Sequence, residues 1–216
     1  MTLAGQLASG ALKAEEVAVV ELQPLEVWRV YSRSFGAAGF NATGRGNARF
    51  SPLKGPDGEV VPTLYAGTTL EVALMETVLH DLPSPSAGFI LTLDPRIEPR
   101  RVARLRTATP LRLADFTSLG LRRLGLQRSE VIDSHKSGYA LTRQLAGWLY
   151  RSRPDLQGIW WTSRQDDRAQ ALLLFATRLP PAPLATLAAD ERFDEGAHMV
   201  ALTGLLDRLG ASLQVS

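Results

Sequence analysis

The chain contains no cysteine among its 216 residues, which excludes disulfides, thiol nucleophiles and thiolate metal sites. Its three histidines, His80, His135 and His198, are scattered along the sequence, so no metal site is expected. There is no run of 18 apolar residues, and the chain does not begin with a basic stretch followed by an apolar block. We therefore expect a cytoplasmic protein without a membrane-spanning segment or a secretory signal.

The two common nucleotide-binding fingerprints are also absent. The glycine-rich segment at residues 40–52 has neither G-x-G-x-x-G after a strand nor Gly-Lys-Ser/Thr. The net charge is only +2, and the basic residues do not form a long run. Arginine suits phosphate binding, so the composition is compatible with a phosphate-bearing small ligand and, more weakly, with nucleic acid.

Predicted strands and helices are mixed without regular βαβ alternation. This pattern predicts an α+β fold, a single domain with a central mixed or mainly antiparallel sheet. Residues 1–24 are rich in Ala, Leu and Glu and end at Pro24, which predicts one amphipathic helix, interrupted at Gly10. We expect this helix to be an N-terminal extension of a main domain at residues 25–216, and it offers a surface for homodimerisation.

The segment at residues 65–81 is predicted to be a strand end, a tight turn and a helix. Gly67 allows a sharp turn, and Thr68 lies three residues before Glu71, the spacing of a capping box. Apolar residues then recur at helical intervals as far as Leu82. Glu76 lies off that stripe and can face the strand end that carries Tyr65, although a solvated helix glutamate has the same pattern.

Arginine occurs at two further informative positions. Arg29 lies in an alternating segment, residues 27–33, on the same face as Val27 and Tyr31. It is either a cation with a partner inside that face or an edge-strand arginine that reaches water. Arg49 lies in the glycine-rich segment, which is either a phosphate-binding loop or a plain surface loop; its length favours a function.

A strand predicted at residues 158–163 ends at Ser163, and it completes a set with Arg29, Arg49, Tyr65 and Glu76. Two cations, an aromatic ring, one carboxylate and one hydroxyl suit cleavage at an anomeric carbon beside a diphosphate. A glycosidase would need two carboxylates, and Ser163 is not in a G-x-S-x-G elbow. A departing pyridinium needs no general acid, because nicotinamide leaves as a neutral molecule.

The same segments resemble the RES-domain family, which comprises toxins of RES–Xre type toxin–antitoxin systems. The resemblance runs from about residue 28 to residue 175. It is carried by Trp-Arg-Val, Gly-Asn-Ala-Arg-Phe-Ser-Pro, Leu-Tyr-Ala-Gly-Thr-Thr-Leu-Glu-Val-Ala-Leu-Met-Glu and Gly-Ile-Trp-Trp-Thr-Ser. These pieces contain, respectively, Arg29, Arg49, Tyr65 with Glu76, and Ser163.

The resemblance implies a fold similar to ADP-ribosyltransferase toxins and a bacterial NAD+ phosphorylase or NAD+ glycohydrolase. NAD+ would be a substrate rather than a cofactor, with inorganic phosphate as the alternative acceptor to water. Glu76, Arg29 and Ser163 would be catalytic, whereas Arg29, Arg49, Tyr65 and Ser163 would bind NAD+. The implied partner is a helical, DNA-binding, Xre-type antitoxin. Two alternatives remain: an ADP-ribosyltransferase that modifies a macromolecule, and a non-catalytic basic nucleic-acid-binding module.

Overall fold

The structure is a computed structural model, and it describes residues 2–80, 82, 87–93 and 100–215. Within them the α-helices are α1 Leu3–Ser9, α2 Leu70–Met75, α3 Ser118–Arg123, α4 Arg128–Val131, α5 Tyr139–Ser152 and α6 Gly196–Arg208. The strands are β1 Val19–Leu22, β2 Glu26–Ser32, β3 Leu53–Lys54, β4 Val60–Val61, β5 Thr63–Gly67, β6 Ile90–Leu93, β7 Arg100–Thr107, β8 Leu111–Asp115, β9 Gly158–Thr162, β10 Gln170–Phe175, β11 Leu184–Arg192 and β12 Ser212–Val215.

Eight strands form one sheet in the spatial order β1-β8-β9-β10-β5-β2-β7-β11. The β8–β9 pair is parallel, and the other neighbours in this sheet are antiparallel. Two smaller sheets pair β3 with β4 and β6 with β12. The predicted α+β fold with a central mixed sheet is therefore confirmed.

Apolar clusters cover both faces of the large sheet. Leu173 and Phe175 of β10 pack in one cluster with Leu145 and Leu149 of α5. Beside it, on the same face, α2 and α6 pack over β2 and β7. Alternate residues point to opposite faces of a strand, so Leu172 and Leu174 pack in a third cluster on the other face. The α2 helix is therefore held between the sheet and α6.

The N-terminal prediction of a single helix over residues 1–24 is wrong. Helix α1 ends at Ser9, because Gly10 adopts the left-handed conformation, φ 67°, that terminates helices. A short 3₁₀ turn follows at Ala14–Glu16. Strand β1 then pairs with β8 at one edge of the large sheet, so residues before the predicted domain boundary contribute a strand to it.

Strand β6 pairs with β12 outside the large sheet, and its Ile90 is 54% exposed. One further prediction needs correction: the helix predicted as far as Leu82 ends at Met75. Its N-cap is Thr69, whose side chain accepts a hydrogen bond from the Val72 N–H, so the cap lies one residue later than predicted. The end of that predicted helix includes residue 81, which lies outside the described residues.

No helix in the described part of the chain is long and apolar enough to cross a membrane.

Candidate active site

A cavity of about 660 Å³ opens where two central strands separate. Strands β2 and β5 are paired at one position, Trp28 with Gly67. Beyond it, consecutive residues of β2, from Arg29 to Ser32, line the cavity together with Thr63 and Tyr65 of β5. Because consecutive strand residues point to opposite faces, the cavity lies in the gap between the strands. Its volume is in the range of small-ligand sites.

Gly67 matters here for a different reason from the one predicted. Its φ is not in the left-handed region, so it does not need glycine's conformational freedom. A Cβ at this position would lie 2.8 Å from the Ala73 nitrogen and 2.9 Å from Val72 Cγ1. Gly67 therefore allows the start of α2 to lie close against β5, which determines where the end of α2 is placed.

Glu76 lies directly at the end of α2 and lines the cavity. Its backbone N–H donates to the Val72 carbonyl at 2.8 Å, so the helical turn positions the side chain. Ser163 Oγ donates to Glu76 Oε1 at 2.8 Å. The hydroxyl comes from the residue after β9, and this contact joins positions 87 residues apart in the sequence. One carboxylate is thereby fixed at the cavity wall.

Ser163 is fully buried, and its side chain contacts protein groups only. Its Oγ accepts from the Gln165 N–H at 3.2 Å, and its carbonyl accepts from Arg128 Nη2 at 3.0 Å. Gln165 Nε2 also donates to the Leu79 carbonyl at 2.9 Å, which holds the chain that follows Glu76. Ser163 is not among the residues that line the cavity, and its hydroxyl positions the Glu76 carboxylate.

Arg29 is only 7% exposed and lies on a strand inside the sheet, between β5 and β7. The edge-strand alternative for this residue is therefore wrong. Its Nη1 donates to the carbonyls of Gly36 at 3.3 Å and Ala37 at 2.7 Å, and its guanidinium lies 5.4 Å from the centre of the Tyr31 ring. Burial lowers the pKa of Arg29 to about 10, because desolvation disfavours the charged form.

Arg49 also lines the cavity and is 5% exposed. Its Nη1 donates to the Val131 carbonyl at 2.9 Å and to Ser134 Oγ at 2.9 Å, while Nη2 donates to Tyr139 Oη at 3.4 Å. Burial lowers the pKa of Arg49. Arginine has five N–H donors, so this residue secures residues 131–139 and still has N–H groups, including Nε, without an acceptor among the described residues.

Tyr65 of β5 lines the cavity together with Arg49 and Glu76. Its hydroxyl accepts from the Phe50 N–H at 2.9 Å, and its ring meets Trp161 edge-on at 6.1 Å. The ring is partly exposed to the cavity, but the hydroxyl is surrounded by protein, and burial raises the pKa of Tyr65 to about 12. Tyr65 therefore presents a neutral aromatic ring to the cavity while its hydroxyl holds the glycine-rich loop.

Several lining residues were not predicted from the sequence. Arg45, Arg100 and Lys136 add positive charge, and His80 lines the cavity with its Nε2 2.7 Å from Tyr139 Oη. Arg45 could have been found, because it lies in the same glycine-rich loop as Arg49. His80 lies at the end of the segment at residues 65–81 but carries no signal of its own there. Arg100 and Lys136 come from segments whose sequence shows no recognisable motif.

The lining is strongly biased in charge. Among the described residues that line it, the cations are Arg29, Arg45, Arg49, Arg100 and Lys136, and Glu76 is the single carboxylate. Among the described residues no group of three or more His, Cys, Asp or Glu side chains could hold a metal ion. Such a cavity attracts an anionic ligand. The Glu76 carboxylate would contact the part of that ligand that lies nearest the end of α2.

The family model of the RES domain matches residues 26–194 of the chain. The chain therefore belongs to the RES-domain family. No curated protein gives a significant sequence match. Among solved structures, the fold is similar to a chain of the crystal structure of the M. tuberculosis MbcT-MbcA toxin-antitoxin complex, with a TM-score of 0.56. The match covers 93% of this chain and 94% of that chain at 13% identity.

Proposed function

We propose that this protein is the toxin of a toxin–antitoxin pair and that it destroys NAD+ by cleaving the bond between nicotinamide and ribose. The observation that carries the proposal is the Glu76 carboxylate, held by Ser163 in a cavity whose other charged lining residues, within the described part of the chain, are cations. Membership of the RES-domain family and the fold shared with a chain of a toxin–antitoxin complex support the same function.

The arrangement offers a different group to each part of NAD+. The diphosphate of NAD+ would lie among the arginines, with Arg29 and the unused N–H groups of Arg49 as donors. Tyr65 would pack against the nicotinamide side. Glu76 would accept a hydrogen bond from a ribose hydroxyl and stabilise the positive charge that develops on the ribose as the bond breaks.

The reaction balances without a general acid. The bond between C1′ and the pyridinium nitrogen breaks, and its electron pair neutralises the positive ring nitrogen. An oxygen of water or of inorganic phosphate then bonds to C1′; water also releases one proton. These two acceptors correspond to a glycohydrolase and a phosphorylase.

The proposal is tested with Glu76→Gln, which keeps the size of the side chain and removes its charge. We expect loss of NAD+ turnover by about 100-fold or more, the scale seen when one group that stabilises transition-state charge is removed. Glu71→Gln is the matched control, because Glu71 lies on the same helix outside the cavity lining. No NAD+ loss with the wild-type protein, or undiminished loss with Glu76→Gln, would reject the proposal.

The products identify the acceptor. Purified protein is incubated with labelled NAD+ with and without phosphate, and the products are separated. A small product phosphorylated at C1′ indicates phosphorolysis, and unmodified ADP-ribose indicates hydrolysis. Label retained on protein or nucleic acid would instead indicate an ADP-ribosyltransferase.

A further inference from the structure

A second concave surface, the α1–α5 groove, lies between the N-terminal helix and the longest helix. Its volume is about 480 Å³. Ala4 and Ala8 of α1 and Ala140 of α5 are among its lining residues. Small side chains on both helices leave room for another chain to approach the helix backbones. The indole of Trp148, which is partly buried, also lines the groove.

All charged residues that line this groove are cations, namely Lys54, Arg143 and Arg151. None of them takes part in an ion pair among the described residues. Many arginines elsewhere do have a carboxylate partner; Arg153, for example, lies 2.8 Å from Asp155. The groove therefore carries positive charge that the described part of the chain does not neutralise, and an anionic ligand complements it.

The order of these residues along α5 indicates the kind of anion. Arg143 and Arg151 are eight residues apart, about 12 Å along the helix axis, and Trp148 lies between them in sequence. A ligand that matches this order carries negative charge near both ends and an apolar group in the middle. A nucleotide concentrates its charge at one end, whereas a peptide with acidic residues on both sides of an apolar residue has the required pattern.

The groove is connected to the candidate active site through Arg143. Its Nη1 donates to Asn47 Oδ1 at 2.9 Å and to the Ala48 carbonyl at 3.2 Å. Asn47 and Ala48 line the cavity that contains Glu76. A chain bound in the groove would therefore lie against the loop that forms one wall of that cavity.

We propose that the α1–α5 groove is the docking surface for an acidic segment of the antitoxin, with an apolar side chain of that segment packed on Trp148. This inference rests on the proposed function, because it assigns a surface to the partner which that function requires. The segment would bind beside the cavity and hold the antitoxin at its mouth.

The experiment measures the Kd between the full chain and the protein encoded by the neighbouring reading frame, by calorimetry. The full chain carries Glu76→Gln so that it can be produced without its antitoxin. Adding Lys54→Glu and Arg151→Glu should weaken binding by about 100-fold and reduce its dependence on salt, since two attractive charges become repulsive. Arg106→Glu is the control for charge reversal, because Arg106 is exposed on β7 outside the groove, and it should leave the Kd unchanged.

Three results would overturn the groove assignment: no binding of the neighbouring gene product, an unchanged Kd after the double charge reversal, or an equal loss with Arg106→Glu. ATP is the probe for a small anion, and ATP binding that depends on Lys54 and Arg151 while antitoxin binding does not would also overturn it. Thermal unfolding of each variant checks that the fold is retained.

The enzymatic proposal is tested separately, by measuring NAD+ consumption by the chain that keeps Glu76. Neither Lys54 nor Arg151 lines the cavity that contains Glu76, so Lys54→Glu with Arg151→Glu should leave that consumption at the wild-type rate. Groove-dependent antitoxin binding without NAD+ consumption would support the docking surface and reject the reaction.

Discussion

Replacing Ser163 by alanine tests whether catalysis depends on the position of one carboxylate. The hydroxyl donates to Glu76 Oε1 at 2.8 Å, and Glu76 has no other side-chain hydrogen bond among the described residues. Ser163 is fully buried, so the change removes a contact between two protein groups and no contact with the cavity.

The size of the effect follows from the kind of hydrogen bond. A hydrogen bond to a charged group contributes about 1.5–3 kcal/mol, and each 1.36 kcal/mol corresponds to a factor of about ten in rate. If most of that energy holds Glu76 in its reactive position, Ser163→Ala should lower kcat for NAD+ cleavage by about 10- to 100-fold. The Gln165 N–H also loses its acceptor, so a stability loss of about 1 kcal/mol should accompany the change.

Steady-state kinetics with NAD+ separate positioning from binding. We expect kcat to fall while KM changes little, because Ser163 does not line the cavity. When Glu76→Gln is already present, Ser163→Ala should have little further effect, since both changes act on the same group. Ser129→Ala, an exposed change on α4, is the control. Wild-type kinetics for Ser163→Ala, or a full additional loss on top of Glu76→Gln, would refute the positioning role.

Two further changes test the buried polar groups of the cavity. Arg29→Met should lower NAD+ turnover by about 100-fold yet raise the free energy of unfolding by about 1 kcal/mol. The reason is that removing the cation that burial disfavours outweighs the loss of its hydrogen bonds to the Gly36 and Ala37 carbonyls. Denaturant titration checks this, with exposed Arg33→Met as control, and a less stable variant would contradict it. The pKa of Tyr65 is raised to about 12 from about 10 in an unfolded chain, so its contribution to stability is present below pH 10 and is lost towards pH 12. Between pH 8 and 11 the wild type should therefore lose about 1 kcal/mol more unfolding free energy than Tyr65→Phe, and equal losses in the two proteins would contradict this reasoning.

Local patterns predicted the elements that have strong periodicity. The alternation at residues 27–33 corresponds to β2, and the strand predicted at residues 158–163 corresponds to β9. Strand β11, Leu184–Arg192, was not predicted, because it is an edge strand with shifts in its pairing to β7 and no clean alternation. The helix that ends just before Glu76 was predicted too long, because the apolar residues after Met75 continue the helical spacing although the chain there forms turns.

The site was more predictable than its supporting contacts. Arg29, Arg49, Tyr65 and Glu76 all line one cavity, as required by the chemistry assigned to them, but their roles remain predictions. The contacts of Arg49 with residues 131–139 were not predictable, because they join positions more than 80 residues apart. Such contacts depend on how α4 and α5 are placed in three dimensions, which no local periodicity encodes.

The partner of Glu76 bears directly on the proposed chemistry. Five cations line the same cavity, yet none of the described ion pairs includes Glu76; its hydrogen bond comes from the neutral hydroxyl of Ser163. A guanidinium in direct contact would offset the negative charge that the proposed reaction needs. A hydroxyl positions the carboxylate without neutralising it, so in the proposed reaction its charge would remain available for the positive charge that develops on the ribose. The cations of the lining would act on the diphosphate of the same ligand, so one cavity would bind an anion and stabilise a cation.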